Sequence, residues 1–179
     1  GKQGLLSILL PEEFGGTDGD ITSFCLVIEE IAKVCGSSSQ LILAQGIGTL
    51  PIWLEGSPSQ KDLYFTQISE KNSLTAFTLN ESESGPDPAS IKSIAKRKEK
   101  DYLLNGRKCF ITNGSIAHLY SVFALTDPER GKEGISAFVV EEGTLGLRFS
   151  EREEKLGMRG SVTTDVIFAN CQIPKETLL

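Results

Sequence analysis

The period of the hydrophobic pattern changes once, near residues 71–73, and that change constrains the fold more than anything else in the chain. Upstream, Phe24, Val27, Ile28, Ile31, Ala32 and Val34 recur at helical spacing, with Gly36 placed to close the run at its C′ position. Residues 37–54 are apolar on more than one side, as a helix with neighbours all round would be, and Gly56 ends them. Ser57 then caps a third helix that has Pro58 at its first position, where a missing N–H costs nothing, and that runs to about Ser69. Three helices this apolar read as part of a larger bundle.

Downstream the period falls to two. Residues 76–79, 91–96, 102–104, 108–112, 120–125, 135–140 and 164–168 are short apolar or alternating runs separated by turn residues. Asn105-Gly106 is the strongest turn signal, because both residues accept positive φ, and it predicts a hairpin over residues 102–112 with a two-residue loop. The expected fold class is α+β. A partial N-terminal helical bundle (residues 1–72) precedes an antiparallel β-barrel-like domain (residues 73–179).

Charge and composition remove several function classes. A formal net charge of −6 and a pI near 4.9 argue against a nucleic-acid partner, which would want a basic face. Apolar stretches such as residues 41–44 fall far short of the roughly 20 residues that cross a bilayer, so no membrane span is expected. Cys25, Cys35, Cys109 and Cys171 have neither CxxC spacing nor histidines nearby, which argues against a zinc or redox pair and favours a reducing compartment, cytoplasm or mitochondrial matrix. Cys25 and Cys35 are expected to be small buried hydrophobes in their helical runs. His118 is the single histidine, read as a surface or strand-end residue, and no metal site is expected. No glycine-rich phosphate loop and no G-x-S-x-G elbow is present, and the charge run 151–155 reads as a solvated turn. The chain opens at Gly1 without a methionine and stops at Leu178-Leu179 after Ile173-Pro174, as a piece of a longer protein would.

An ordered set of short motifs says more. Pro11-Glu12-Glu13-Phe14-Gly15-Gly16 precedes Ile28-Glu29-Glu30-Ile31-Ala32, and Phe77-Thr78-Leu79-Asn80-Glu81 follows with Gly85 and Asp87. Then come Leu104-Asn105-Gly106-Arg107-Lys108 with Phe110-Ile111-Thr112-Asn113, and Gly134-Ile135-Ser136-Ala137-Phe138-Val139-Val140. Lys155-Leu156-Gly157-Met158-Arg159-Gly160-Ser161 and Val166-Ile167-Phe168, leading to Ile173-Pro174, complete it. In this order and spacing the chain resembles the acyl-CoA dehydrogenase family over nearly its whole length.

The resemblance implies an N-terminal helical domain and a flavin- and acyl-CoA-binding middle β domain, with the family's C-terminal helical domain absent from this chain. It implies FAD as cofactor. Phe77, Leu79, Asn80, Gly85, Pro86, Phe110, Ile111 and Thr112 fall at cofactor-binding positions, and Pro86 also at a substrate-binding one. Phe110 would lie beside the ring, Thr112 would reach its reactive edge, and Gly85 would let the loop approach the diphosphate. The pattern departs from the family at four places. Asn80 stands where Thr is usual, Ser82 where Pro is, Pro86 where Ser is, and Phe110 where Trp is common. In the family a glutamate from the missing domain takes the α-proton while the β-hydrogen leaves as hydride to the flavin, giving a trans-2-enoyl-CoA. No catalytic residue is therefore assigned within this chain. The implied partners are an acyl-CoA, an electron-transfer flavoprotein and further copies of the full-length chain, as a dimer or homotetramer. Two alternatives are a non-catalytic binding or assembly subunit and a flavin oxidase or monooxygenase on the same fold.

Overall fold

The computed structural model describes residues 3–84 and 87–179. After a 3-10 turn at Glu12–Phe14 come three helices, α1 (Ile21–Val34), α2 (Gly36–Glu55) and α3 (Pro58–Lys71). Each start has a physical cause. Asp20 caps α1 by accepting the Ser23 N–H at 2.7 Å. At α3, Ser57 and Gln60 satisfy each other's backbone N–H in a capping box, with Pro58 in the first turn. Gly36 does not close α1 as expected. It is the first residue of α2, and extended Cys35 makes the break between the two helices.

Among the described residues seven strands follow: β1 (Thr75–Thr78), β2 (Ile94–Lys98), β3 (Asp101–Thr112), β4 (Leu119–Leu125), β5 (Ile135–Glu141), β6 (Leu147–Phe149) and β7 (Thr163–Pro174). They form one curled sheet in the order β1-β4-β2-β3-β7-β6, with β5 also paired to β4. The sheet is mixed: β1 runs parallel to β4, while β3, β7, β5 and β6 make antiparallel pairs. Ala76, Leu104, Tyr120, Val122, Phe138, Val166 and Phe168 fill its interior. A second cluster, with Leu10, Ile52, Phe65 and Ile68 from the helical part against Leu119 and Val139, joins helices to sheet.

The hairpin expected at Asn105-Gly106 is not there. β3 runs unbroken through both residues, and the turn lies instead at Glu99-Lys100, where Glu99 takes φ +56° and β2 pairs back onto β3. Asn105-Gly106 is an irregularity in the β3–β7 ladder. The Asn105 amide oxygen accepts the Asn170 N–H at 2.8 Å. A Cβ on Gly106 would come within 2.0 Å of the Ser93 Oγ, so glycine is required by close approach and not by chain reversal.

Helix α2 is fastened to β1 by polar stitches in an apolar setting. The buried Gln45 accepts the Thr75 N–H at 2.9 Å and donates to the Ser73 carbonyl at 3.2 Å. Gly48 permits the approach, since a Cβ there would meet the Thr75 Oγ1 at 2.5 Å. Cys25 and Cys35 correct the expectation of burial: both are exposed, and only Phe24 of α1 is buried, because α1 lies at the surface. Cys109 and Cys171 are the buried pair of thiols. No helix is long and apolar enough to cross a membrane among the described residues.

Candidate functional site

Five of the residues singled out from the sequence meet in one cleft of about 150 Å³. Phe77 and Asn80 come from β1 and the residues just after it, and Phe110, Ile111 and Thr112 come from the end of β3. The opposite wall is α2, through Gln40, Leu43, Ala44 and Ile47. These helix positions were not anticipated. Their i, i+3, i+4, i+7 spacing was visible, but in a helix apolar on several sides no single face stood out.

The β3 wall has an unusual backbone. Phe110 takes φ +56°, the left-handed region that a bulky side chain seldom occupies, and the residue is 67% exposed. The Cys109 N–H next to it donates to the Asn80 carbonyl at 2.8 Å, which ties the end of β3 to the segment after β1. Among the described residues the side chains of Gln40, Asn80 and Thr112 make no hydrogen bond to the protein, so three polar groups stand available beside an apolar floor. That combination of a few polar groups on an apolar surface suits a flat, polar-edged ring.

Leu79 does not line the cleft. Its carbonyl accepts from the buried Lys108 Nζ at 3.2 Å, directing that backbone group inward. Lys108 is fully buried and pairs with Glu81 at 2.7 Å. Burial pushes the Lys108 ammonium below its usual value, and the Glu81 hydrogen bond partly opposes that. Burial pushes Glu81 upward. Hydrogen bonds from Lys108, from Ser93 and from the Lys92 backbone outweigh it, and the carboxyl ends below its ordinary value of 4.5. Through its two oxygens Glu81 gathers the Lys92 and Ser93 N–H groups as well, at 2.6 and 3.0 Å. This pair fixes the far end of the segment that follows β1. Gly85 and Pro86, expected at the diphosphate and substrate, lie outside the described residues.

A larger cavity, about 520 Å³, lies between α3 and the last residues, lined by Ser57, Gln60, Leu63, Tyr64, Glu141 and Thr177. None of the expected residues reaches it. The smaller cleft is preferred because sequence-distant positions of one motif set converge there. His118 is also remote from the cleft, its Nδ1 accepting the Leu74 N–H at 3.0 Å, a structural role. No cluster of metal-ligating residues exists among the described residues.

Comparison with known proteins agrees with this architecture. Residues 1–72 match the N-terminal domain of acyl-CoA dehydrogenases, and residues 76–171 match the acyl-CoA dehydrogenase middle domain. The chain belongs to the acyl-CoA dehydrogenase family. It is 48% identical over 177 residues to a cyclohex-1-ene-1-carbonyl-CoA dehydrogenase of Syntrophus aciditrophicus, covering 98% of this chain and 43% of that protein. Its fold matches a chain described under the electron transferring flavoprotein of Acidaminococcus fermentans, with TM-score 0.94, 41% identity, and coverage of 98% of this chain and 47% of that one. It also matches an acyl-CoA dehydrogenase from Bacillus anthracis complexed with FAD, with TM-score 0.91, 35% identity, and coverage of 99% of this chain and 30% of that one. The chain therefore spans less than half the length of each of these proteins.

Proposed function

We propose that this chain is the N-terminal helical and middle β part (residues 1–72 and 73–179) of an FAD-dependent acyl-CoA dehydrogenase. The activity is α,β-dehydrogenation of an acyl-CoA thioester to a trans-2-enoyl-CoA. The observation that carries it is the convergence of Phe77, Asn80, Phe110, Ile111 and Thr112 on one cleft against α2.

FAD bound there supplies the two-electron redox chemistry, and the protein supplies placement and polarity. Phe110 presents a flat apolar surface, and Ile111, Leu43 and Ala44 add further apolar lining against which a ring can pack. The Thr112 hydroxyl is a donor that can stabilise negative charge developing on a neighbouring acceptor, and Asn80 offers an amide to the polar edge. Gly85 and Pro86 belong to this site on the resemblance alone, with Pro86 toward the acyl-CoA. No residue of this chain is assigned as catalytic base. An electron-transfer flavoprotein as electron acceptor, assembly as a dimer or homotetramer, and residence in the cytoplasm or mitochondrial matrix belong to the same proposal.

The test is spectroscopic. Full-length protein should carry a flavin absorption band that bleaches anaerobically on adding an acyl-CoA. A protein that stays colourless after incubation with excess FAD would instead be a binding or assembly subunit. Rapid oxygen consumption by the reduced protein would mark an oxidase.

A further inference from the structure

One side chain holds the backbone on which the Phe110 wall depends. In the β3–β7 ladder Lys108 pairs with Val166 and Ile111 with Thr164, so Cys109 and Phe110 together face Asp165 alone. An extra residue of this kind is left unpaired by the ladder, and its N–H needs another acceptor. The two amides are taken up by different elements. The Cys109 N–H reaches the Asn80 carbonyl at 2.8 Å. The Phe110 N–H donates to Asp165 Oδ1 at 3.3 Å.

Asp165 is itself held on every side. Its Oδ2 accepts from Arg107 Nε at 2.7 Å and lies 2.6 Å from a second Arg107 nitrogen, while its own N–H donates to the Ser150 Oγ at 2.9 Å. The side chain is only 8% exposed. A phenylalanine at φ +56° persists only where its surroundings over-determine it, and the carboxylate supplies that constraint.

We propose that Asp165 is a positioning residue for the cofactor cleft: it fixes the Cys109–Phe110 bulge and thereby aims the Phe110 ring. Asp165 does not line the cleft. The inference rests on the flavin reading for its consequence, and on the bulge geometry alone for its structural content.

Two readouts separate these. Hydrogen exchange at the Phe110 amide reports the bulge with no flavin present, and FAD titration reports the cleft. In full-length protein, Asp165→Ala should speed exchange at Phe110 about tenfold, as expected for loss of one charge-assisted hydrogen bond. It should weaken FAD binding by a similar factor. Asp165→Asn keeps an oxygen for the amide but only a neutral bond, and should speed exchange by roughly threefold. Unchanged exchange in both variants overturns the inference, whatever happens to FAD. If Asp165→Ala does not fold, Asp165→Asn decides, and unchanged exchange there overturns it equally. Faster exchange with FAD binding intact upholds the role of Asp165 in the bulge and removes the flavin from Phe110.

Discussion

Arg107 and Lys108 are neighbours on one strand, each pairs with a carboxylate, and the two pairs have opposite physics. Lys108 and its partner Glu81 are 0% and 6% exposed, whereas the Arg107 side chain is 62% exposed against a buried Asp165. Alternation along β3 sends one cation into the protein and the other to its surface. A buried ammonium has no water to fall back on, so Lys108 must satisfy the Leu79 carbonyl and Glu81 together. Arg107 has solvent available, and its worth lies in orienting Asp165. The buried pair thus holds the segment after β1, while the proposed role of Asp165, with the exposed Arg107 beside it, is to set where Phe110 points.

The largest effect is expected at Lys108. Lys108→Met leaves Glu81 buried without its partner, and chemical denaturation should show a loss of about 3–5 kcal/mol, the range for breaking a buried pair from one side. A loss no larger than that of an exposed lysine would mean the pair is solvated after all.

Acid sharpens the same contrast. The folded-state value of Glu81 is depressed, so its contribution is present above the ordinary 4.5 and is lost as pH falls through the lower folded value. Stability followed from about pH 6 to pH 3 should decline in the wild type. Part of that decline should be missing in Glu81→Gln. An identical acid limb in the variant would remove Glu81 from the account.

The smallest effect is expected at Arg107. Arg107→Ala should lower the denaturation midpoint less than Lys108→Met does, because the guanidinium it removes is largely solvated and its attraction is screened by salt. Asp165 retains the Phe110 amide in this variant, so FAD affinity should change less than with Asp165→Ala. A destabilisation matching Lys108→Met would erase the distinction between the two pairs.

How much of this the sequence disclosed follows from how local each signal is. The Ser57-Pro58 start of α3 was legible because a cap and a proline lie side by side, and the structure adds Gln60 to complete the capping box. The change from helices to strands was legible because period is a property of a short window. Asn105-Gly106 misled for the same reason. A strong local turn preference was overridden by the tertiary contact with Ser93, which no window contains. Cys25 and Cys35 were misplaced because an apolar helix does not declare which of its sides meets a neighbour. At the cleft, the β-strand residues came from a motif set with fixed order. The α2 wall and Asp165 are joined to it only by the fold, the latter across 55 residues of chain from Phe110.

On the proposed function, the cleft between α2 and the β1 and β3 residues takes the flavin ring, and the larger cavity beside α3 does not. FAD titration of full-length protein, followed by flavin absorbance or fluorescence, tests it with one substitution in each place. The account predicts that Phe110→Ala weakens FAD binding about tenfold through loss of aromatic contact, while Leu63→Ala in the other cavity leaves it unchanged. Equal FAD affinity in wild type and Phe110→Ala, or a loss confined to Leu63→Ala, would contradict it.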